Sequence, residues 1–195
     1  MKTALITGAT SGIGKATAEL LAKNNWRLII CGRNVEVLSQ MKADLSVTTE
    51  IFTLNFDIRE FSQVEKVINS IPENWKKIDV LINNAGNAHG MDSLENGNID
   101  DWDAMMDGNV KGILYISKLL IPGMKAQKSG HIVNISSTAA RQTYANGVVY
   151  CASKKAVDII SEGMRLELTE FGIKVTNLQP GLTETDFSKV RFKGD

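Results

Sequence analysis

The stretch that decides the fold is Thr7-Gly8-Ala9-Thr10-Ser11-Gly12-Ile13-Gly14, whose glycines recur at spacings of four and two residues. It follows a strand-like apolar run at 3–7 and opens directly into an amphipathic, helix-like segment at 13–25. In this context Gly8 makes the tight turn. Gly12 allows backbone N–H groups to approach a pyrophosphate, and Gly14 allows the helix to pack on the strand. A purely structural turn would also use glycine, but the flanking strand and helix favour dinucleotide binding.

The same alternation of apolar runs and amphipathic segments continues along the rest of the chain, without a repeat or a linker. Strands covered by helices on both faces are expected to be almost continuously apolar, as these runs are. The pattern predicts an α/β fold, a Rossmann-type doubly wound parallel sheet in three layers, as a single domain over residues 1–195. The predicted strands are 3–7, 27–31, 50–54, 78–82, 131–135 and 173–178, and the predicted helices are 13–25, 35–43, 61–70, 99–106, 110–125 and 148–171.

Composition argues against several kinds of partner. The 195 residues carry 22 basic and 22 acidic side chains, so the net charge is zero and no basic stripe indicates nucleic acid or anionic lipid. The apolar runs are shorter than the roughly 20 residues of a membrane span, and the N-terminal run ends before an export signal forms. The two cysteines lack CxxC or zinc spacing, and no other metal-binding cluster is visible. We therefore expect a cytoplasmic protein without nucleic-acid, membrane or metal partners.

The end of the second predicted strand bears on which dinucleotide is bound. NAD-binding forms of the glycine turn usually have an acidic residue here that bonds the adenosine ribose. Gly32 supplies no carboxylate, whereas the Arg33 guanidinium can bind a 2′-phosphate in a bidentate manner. A solvated arginine at a strand end is an equally good local account. Together with the glycine turn, Arg33 favours NADP(H).

Two more polar sites follow predicted strands. Asp57 stands where a carboxylate can accept a hydrogen bond from the adenine amino group, or where it can act as a turn or helix-cap residue. Asn83-Asn84-Ala85-Gly86 brings two amides and a glycine to the same sheet edge, and an asparagine-rich turn is its alternative interpretation. The local sequence leaves both alternatives open.

Tyr150 and Lys154 lie four residues apart and therefore on one face of the predicted helix 148–171. Such a pair is a weak signal when isolated. Its position strengthens it, because this helix follows the strand that ends in Asn134-Ile135-Ser136-Ser137. A lysine ammonium about 4 Å from a phenol favours the phenolate by roughly 3 pKa units before desolvation is subtracted.

Taken together, these motifs resemble those of the short-chain dehydrogenase/reductase family. In the family's order the chain carries TGxxxGxG at 7–14, NNAG at 83–86, the helix asparagine Asn109, the serine Ser137, YxxxK at 150–154 and PGxxxT at 180–185. Six ordered motifs that span nearly the whole chain rarely coincide. The resemblance implies an oxidoreductase that transfers a hydride between a nicotinamide and a substrate that carries a hydroxyl or carbonyl group.

The resemblance also implies roles for individual residues. Tyr150 would be the acid/base, Lys154 would supply a cation and bond the nicotinamide ribose, Ser137 would hold the substrate oxygen, and Asn109 would support a proton relay through water. Without the tyrosine–lysine pair, Ser137 would be a strand-end turn residue and Asn109 a helix-kinking amide. The residues expected to bind the cofactor are Gly8, Thr10, Ser11, Gly12, Ile13, Gly14, Arg33, Asn34, Asp57, Ile58, Asn84, Ala85, Gly86, Tyr150, Lys154, Pro180, Gly181, Thr183 and Thr185.

A narrower resemblance, at 71–75, 90–92, 120–124 and 187–195, is to the NADP-dependent 3-hydroxy acid dehydrogenases of the serine and allo-threonine dehydrogenase and malonic semialdehyde reductase type. It implies NADP(H) and substrates such as serine, allo-threonine or 3-hydroxypropionate. A substrate carboxylate needs a cationic partner, for which Arg191 and Lys189 are candidates and Arg141 is a rival. The alternatives are the same chemistry on another carbonyl substrate, such as a ketoacyl thioester, sugar or hydrophobic ketone, or a non-catalytic NADP(H)-sensing module.

The family resemblance carries two expectations about assembly and extent. Members usually form tetramers through two long helices, here 110–125 and 148–171, which implies a homotetramer. Members also typically continue into a further strand and helix. We therefore expect the sheet to lack its last strand and to present an exposed edge.

Overall fold

The six predicted strands form one parallel sheet in the computed structural model, which describes residues 1–185, 187 and 191. The sheet order is β3-β2-β1-β4-β5-β6. The chain therefore moves outward from β1 in one direction and then adds β4 on the other side of β1, the reversal that opens a crevice at the carboxyl ends of the strands. The predicted doubly wound sheet is confirmed. The strands are β1 (Thr3–Ile6), β2 (Arg27–Gly32), β3 (Ile51–Asn55), β4 (Val80–Asn83), β5 (Gly130–Ile135) and β6 (Ile173–Leu178).

Helices cover both faces of this sheet, which confirms the three layers. They are α1 (Gly12–Lys23), α2 (Val35–Leu45), α3 (Phe61–Asn69), α4 (Ile99–Met106), α5 (Gly112–Gln127) and α6 (Val148–Leu168). Successive strand side chains point to opposite faces. Leu5 and Ile29 consequently pack with α3, α5 and α6, whereas Ala4, Ile6 and Leu28 pack with α1 and α2.

The predicted helix boundaries differ most from the observed ones where α-helical turns are followed by π-helical or 3₁₀ turns. The predicted helices 99–106 and 110–125 follow one uninterrupted helical path, because a π-helical turn, Asp107–Lys111, joins α4 to α5. Helix α6 ends at Leu168, before its predicted end, and the chain continues as the 3₁₀ turn Thr169–Phe171. Gly172 closes that turn with a φ of +70°, in the left-handed region that favours glycine.

Hydrogen bonding between the neighbours β5 and β6 extends past the ends of both strands. Six pairs of residues are in register, from Gly130 opposite Ile173 to Ile135 opposite Leu178. Beyond them the Ser136 N–H donates to the Leu178 carbonyl oxygen at 2.7 Å, and the Thr138 N–H donates to that of Pro180 at 3.0 Å. Within the described residues β6 is an outer strand of the sheet.

The described residues contain neither a membrane-spanning helix nor a cluster of metal ligands. None of the helices in this part of the chain has both the length and the apolar character needed to cross a bilayer. Over the same residues, no three His, Cys, Asp or Glu side chains come together in an arrangement that could hold a metal ion.

Candidate functional site

A cavity of about 750 Å³ lies at the carboxyl ends of the strands, where the order of the sheet reverses. It extends from the turn after β1, past the end of β2, to the start of α6. Cavities of this size hold cofactors and other small molecules. The sequence-predicted site residues on its wall are Gly8, Thr10, Ser11, Gly12, Ile13, Arg33, Asp57, Ile58, Asn84, Ala85, Gly86, Ser137, Tyr150, Lys154, Pro180, Gly181, Thr183 and Thr185.

The glycine turn after β1 is shaped for close approach of other groups. Gly8 and Gly12 have φ values of +62° and +48°, which side chains disfavour. A Cβ on Gly8 would lie 2.8 Å from the Ala85 Cα. Gly14 is not on the cavity wall, and a Cβ there would lie 2.3 Å from the Gly8 carbonyl oxygen. Gly14 therefore acts on the site indirectly, by letting α1 pack against the turn.

The N-terminus of α1 is open to a ligand in the cavity. Among the described contacts, the Ser11 side chain caps none of the N–H groups of α1, and no acidic residue stands in the first turn of the helix. No carboxylate of the first turn therefore compensates the positive end of the helix dipole. Free N–H groups and a positive dipole end are what a pyrophosphate requires, so the residues present fit a dinucleotide.

Asn84 connects the end of β4 to the glycine turn. Its Nδ2 donates to the carbonyl oxygens of Thr7 and Gly8, at 2.9 and 3.0 Å. The Thr7 Oγ1 in turn accepts the N–H groups of Asn84 and Ala85, both at 3.0 Å. The asparagine therefore holds a structural turn while also lining the cavity, so the two interpretations of this motif are compatible.

The end of the cavity near β2 is basic. The Arg33 side chain is 68% exposed, and its Nη1 lies 3.8 Å from the Asp57 Oδ2. Arg59 binds the Asp57 carboxylate more closely, with its Nε 3.0 Å from both oxygens and its Nη2 2.6 Å from Oδ2. Burial raises the pKa of Asp57. The hydrogen bonds and charge of Arg59 lower this pKa by more than burial raises it, so the net shift is downward. Asp57 thus holds Arg33 less closely than it holds Arg59.

Two predicted cofactor residues at this end have structural contacts. The Asp57 Oδ1 accepts the Arg59 N–H at 3.0 Å, which is the turn role considered for it, and its contact with adenine stays a prediction. Asn34 is not on the cavity wall, because its Oδ1 accepts the Val37 N–H at 3.0 Å and caps α2. A direct contact of Asn34 with the cofactor also stays a prediction.

Ser137, Tyr150 and Lys154 come together at the other end of the cavity. Ser137 lies just beyond β5, and the other two side chains project from the first two turns of α6. The Ser137 side chain interacts with the Tyr150 hydroxyl and lowers its pKa, and the Ser137 Oγ also accepts the Ala139 N–H at 3.1 Å. Lys154 is 5% exposed, and its Nζ donates to the Ile135 carbonyl oxygen at 3.0 Å.

The pKa shifts at this end differ from the sequence-based expectation. Burial raises the pKa of Tyr150, and the hydrogen bond with Ser137 and the charge of Arg191 only partly oppose it. Burial also lowers the pKa of Lys154 to about 8. The Lys154 Nζ lies 5.9 Å from the centroid of the Tyr150 ring and is bonded to Ile135. The expectation that this lysine pulls the pKa of Tyr150 down is therefore wrong for this structure, because both groups lose hydration.

Asn109 lies behind the cavity wall, fully buried in the π-helical turn. Its Oδ1 accepts the Asn87 N–H at 2.7 Å, and its Nδ2 donates to the Asn87 carbonyl oxygen at 2.8 Å. A Cβ on Gly86 would lie 2.9 Å from the Asn109 Oδ1 and 3.3 Å from the Lys154 Nζ, so the amide and the ammonium flank one glycine. The helix is distorted at Asn109, which agrees with the interpretation of this residue as a helix-kinking amide. The water relay stays a prediction.

Sequence reasoning missed Tyr144, whose hydroxyl accepts a hydrogen bond from the Arg191 Nη1 at 2.7 Å. The Arg191 Cζ lies 5.3 Å from the ring centroids of both Tyr144 and Tyr150. The available signal was the turn-forming Asn146-Gly147 pair directly before α6, which indicates that Tyr144 turns back towards this helix. Other residues of the cavity wall that were not predicted include Arg59, Asn87, Gln142 and Phe187.

The candidates for binding a substrate carboxylate separate in the structure. Arg191 lines the cavity beside Tyr150, whereas Arg141 does not line it. Lys189 lies outside the described residues. Arg191 is therefore the candidate that the described geometry favours.

The reversed sheet, the glycine turn and the serine–tyrosine–lysine group define a dinucleotide-dependent enzyme. Residues 2–195 match the family model for short chain dehydrogenases, and the chain belongs to this family. The NADP-dependent 3-hydroxy acid dehydrogenase YdfG of Salmonella typhi is 40% identical over 192 residues, which cover 98% of this chain and 77% of that protein. The NADP-dependent 3-hydroxy acid dehydrogenase of Schizosaccharomyces pombe is 39% identical over 197 residues, which cover 100% of this chain and 76% of that protein.

Solved structures agree with the sequence relatives. The closed form of a serine dehydrogenase complexed with NADP⁺ has a TM-score of 0.94 and 39% identity, over 99% of this chain and 77% of that chain. Serine dehydrogenase from Escherichia coli has a TM-score of 0.87 and 37% identity, over 92% and 82% of the two chains. The resemblance to the family and the narrower resemblance within it, both predicted from the sequence, are confirmed.

Proposed function

We propose that this enzyme uses NADP(H) to interconvert a 3-hydroxy acid and its carbonyl form. The observation that carries the proposal is the Arg191 guanidinium, whose carbon lies 5.3 Å from the Tyr150 ring centroid in the same cavity. In a 3-hydroxy acid the carboxylate is separated by two bonds from the carbon that bears the hydroxyl. A cation beside the tyrosine suits such a molecule better than it suits a hydrophobic ketone. The relatives named as NADP-dependent 3-hydroxy acid dehydrogenases support the cofactor and the substrate class.

When bound, NADP(H) supplies the hydride chemistry, and the side chains of this chain handle the proton. Tyr150 takes the proton from the substrate hydroxyl during oxidation and returns it during reduction. Ser137 holds the substrate oxygen, since its side chain interacts with the Tyr150 hydroxyl. The raised pKa of Tyr150 keeps the phenol protonated at neutral pH, which suits reduction, while oxidation is favoured at alkaline pH. Lys154 bonds the nicotinamide ribose, and Asn109 supports a water relay.

The substrate class is tested by initial rates measured through nicotinamide absorbance. We expect turnover of L-serine, L-allo-threonine and 3-hydroxypropionate with NADP⁺, and a raised KM for L-serine in Arg191→Ala. A wild-type enzyme that oxidises hydrophobic alcohols and none of these acids would contradict the substrate class, and so would an unchanged KM in the variant. Binding of NADPH without turnover of any alcohol or carbonyl compound would favour the NADP(H)-sensing module instead.

Arg33→Ala tests the preference for NADP(H). If the guanidinium binds the 2′-phosphate, its loss should lower kcat/KM for NADP⁺ by about 10- to 150-fold, the value of a hydrogen bond to a charged group. The value for NAD⁺ should change little, because NAD⁺ lacks that phosphate. Lys42→Ala, on the exposed side of α2, is the matched control and should leave the NADP⁺/NAD⁺ ratio as in the wild type. A wild-type ratio in Arg33→Ala would exclude Arg33 from phosphate recognition.

We also propose a homotetramer formed through α5 and α6. Each helix leaves large apolar side chains accessible, with Leu114 43%, Ile159 59% and Leu166 79% exposed. Covering such side chains at an interface stabilises an oligomer. The mass measured by equilibrium sedimentation should be that of four chains, and a monomer would contradict the proposal.

For location we propose the cytoplasm. Cys31 and Cys151 are buried free thiols, which suits a reducing compartment.

A further inference from the structure

Tyr144 is placed between the glycine that supports its ring and the arginine that its hydroxyl contacts. It begins the turn before α6, in which the Gly147 N–H donates to the Tyr144 carbonyl oxygen at 3.2 Å and Asn146 has a φ of +63°. The Tyr144 ring packs against Gly147, where a Cβ would come within 2.1 Å of the Tyr144 Cε2. Only a glycine leaves room for the ring in this position, so the turn determines where the Tyr144 hydroxyl lies.

Arg191 is held through both its backbone and its side chain. Its backbone carbonyl oxygen accepts the Gly90 N–H at 3.0 Å, and its side-chain Nε donates to the Gly90 carbonyl oxygen at 3.3 Å. At the tip, its Nη1 donates to the Tyr144 hydroxyl at 2.7 Å. The guanidinium is also within cation–π distance of the Tyr144 and Tyr150 rings, at 5.3 Å from each centroid. Tyr144 thus holds the tip of Arg191 beside Tyr150.

The hydrogen bond with Arg191 also determines what the Tyr144 hydroxyl can do next. An arginine is a donor only, so Tyr144 accepts in this bond and its own proton points elsewhere. Among the described residues, no acceptor for that proton is found, and the side chain lines the cavity that contains Ser137 and Tyr150. A hydroxyl that accepts from a cation is polarised and becomes a better donor. A carboxylate next to Arg191 is the ligand group that can accept from both the Arg191 guanidinium and the Tyr144 hydroxyl.

We propose that Tyr144 determines specificity for the substrate carboxylate, because its hydroxyl fixes the Arg191 guanidinium beside Tyr150 and donates its own proton to a carboxylate oxygen. This inference rests on the proposed function, since it adds a second donor to the subsite assigned there to Arg191. It concerns recognition alone and leaves the hydride and proton transfers unchanged.

The test compares Tyr144→Phe with the wild type on two substrates, 3-hydroxypropionate and its methyl ester, in which a methyl group replaces the negative charge. The variant loses one oxygen and keeps the ring on Gly147. We expect KM for the acid to rise by about 10- to 100-fold with little change in kcat, because the lost hydrogen bonds involve charged groups. The KM values for the ester and for NADP⁺ should stay within about twofold of the wild type if only carboxylate recognition is lost.

Two further variants separate this role from a structural one. Tyr115→Phe, a matched change on α5 whose ring packs on Phe61, should leave both KM values as in the wild type. Gly147→Ala keeps the Tyr144 hydroxyl but pushes the ring aside, and it should reproduce the selective loss on the acid. Equal losses on acid and ester in Tyr144→Phe, or no loss on either, would overturn the inference.

The outcomes also separate the inference from the proposed function. A wild-type enzyme that prefers the acid, together with a Tyr144→Phe variant that keeps this preference, would overturn the role of Tyr144 alone. A wild-type enzyme that uses acid and ester equally would overturn the proposed substrate class and, with it, the inference.

Discussion

Tyr150→Phe is expected to reduce kcat by about 10²- to 10⁴-fold, the usual contribution of a positioned general acid or base. In the proposed mechanism this hydroxyl transfers the proton, and it lies in the same cavity as Ser137. Phenylalanine keeps the packing of the ring, which is 8% exposed and lies 5.9 Å from the Phe187 ring centroid. Steady-state rates in both directions, measured by nicotinamide absorbance, give the size of the loss.

The pH profile distinguishes loss of the proton-transferring group from loss of structure. Oxidation needs the phenolate, and the pKa of Tyr150 is raised, so the wild-type oxidation rate should increase towards alkaline pH. This increase should disappear in Tyr150→Phe, while the melting temperature stays close to the wild type. Tyr115→Phe on α5 is the matched control and should keep both the rate and its pH dependence. Oxidation by Tyr150→Phe at near wild-type rates would show that another group transfers the proton.

Gly14→Ala should weaken cofactor binding through the backbone. Its Cβ would lie 2.3 Å from the Gly8 carbonyl oxygen and 2.4 Å from the Asn84 Nδ2, so the start of α1 must move away from the turn. Losing aligned N–H groups at the pyrophosphate should cost about 10- to 150-fold in NADPH affinity. Overpacking should also lower the free energy of unfolding by about 1–3 kcal/mol. Titration of NADPH fluorescence and urea denaturation measure the two effects.

Gly163→Ala is the control for the change from glycine to alanine. Gly163 lies in α6, and no atom of the described residues of the same chain lies within 4 Å of the place its Cβ would take. Alanine there should raise the free energy of unfolding by up to about 1 kcal/mol, because it reduces the conformational freedom of the unfolded chain. NADPH affinity should be unchanged. If Gly14→Ala bound NADPH as tightly as Gly163→Ala, close packing of α1 on the turn would not be required.

Much of the fold was predictable because its signals are local. Strands buried on both faces read as apolar runs, and all six were found, with ends shifted by at most two residues. The π-helical turn Asp107–Lys111 was not predicted, since its residues are compatible with an ordinary helix and the extra backbone residue per turn depends on tertiary packing around Asn109. Asn34 was assigned to the cofactor although its side chain caps α2, because asparagine at a strand end suits both roles.

The candidate site was predictable where sequence spacing determines geometry. Tyr150 and Lys154 had to share a face of α6, and the glycine turn had to face the cavity. The direction of the Tyr150 pKa was not predictable, because desolvation depends on burial that the whole fold creates. Tyr144 was missed for a related reason, since its partner Arg191 is 47 residues away in the sequence and no local pattern connects them.

The extended pairing of β5 and β6 has a consequence for how such enzymes diversify and can be redesigned. Main-chain bonds from Ser136 to Leu178 and from Thr138 to Pro180 hold the segment around Ser137 at a fixed separation from the segment before Gly181. Hydrogen-bonded neighbours in a sheet lie about 4.8 Å apart whatever side chains they carry. Loops grafted after Gly181 can therefore differ in length and composition without altering this separation. We expect exchange of this loop to change the substrate while Ser137 keeps its position, provided that Thr183 and Thr185 on the cavity wall are retained.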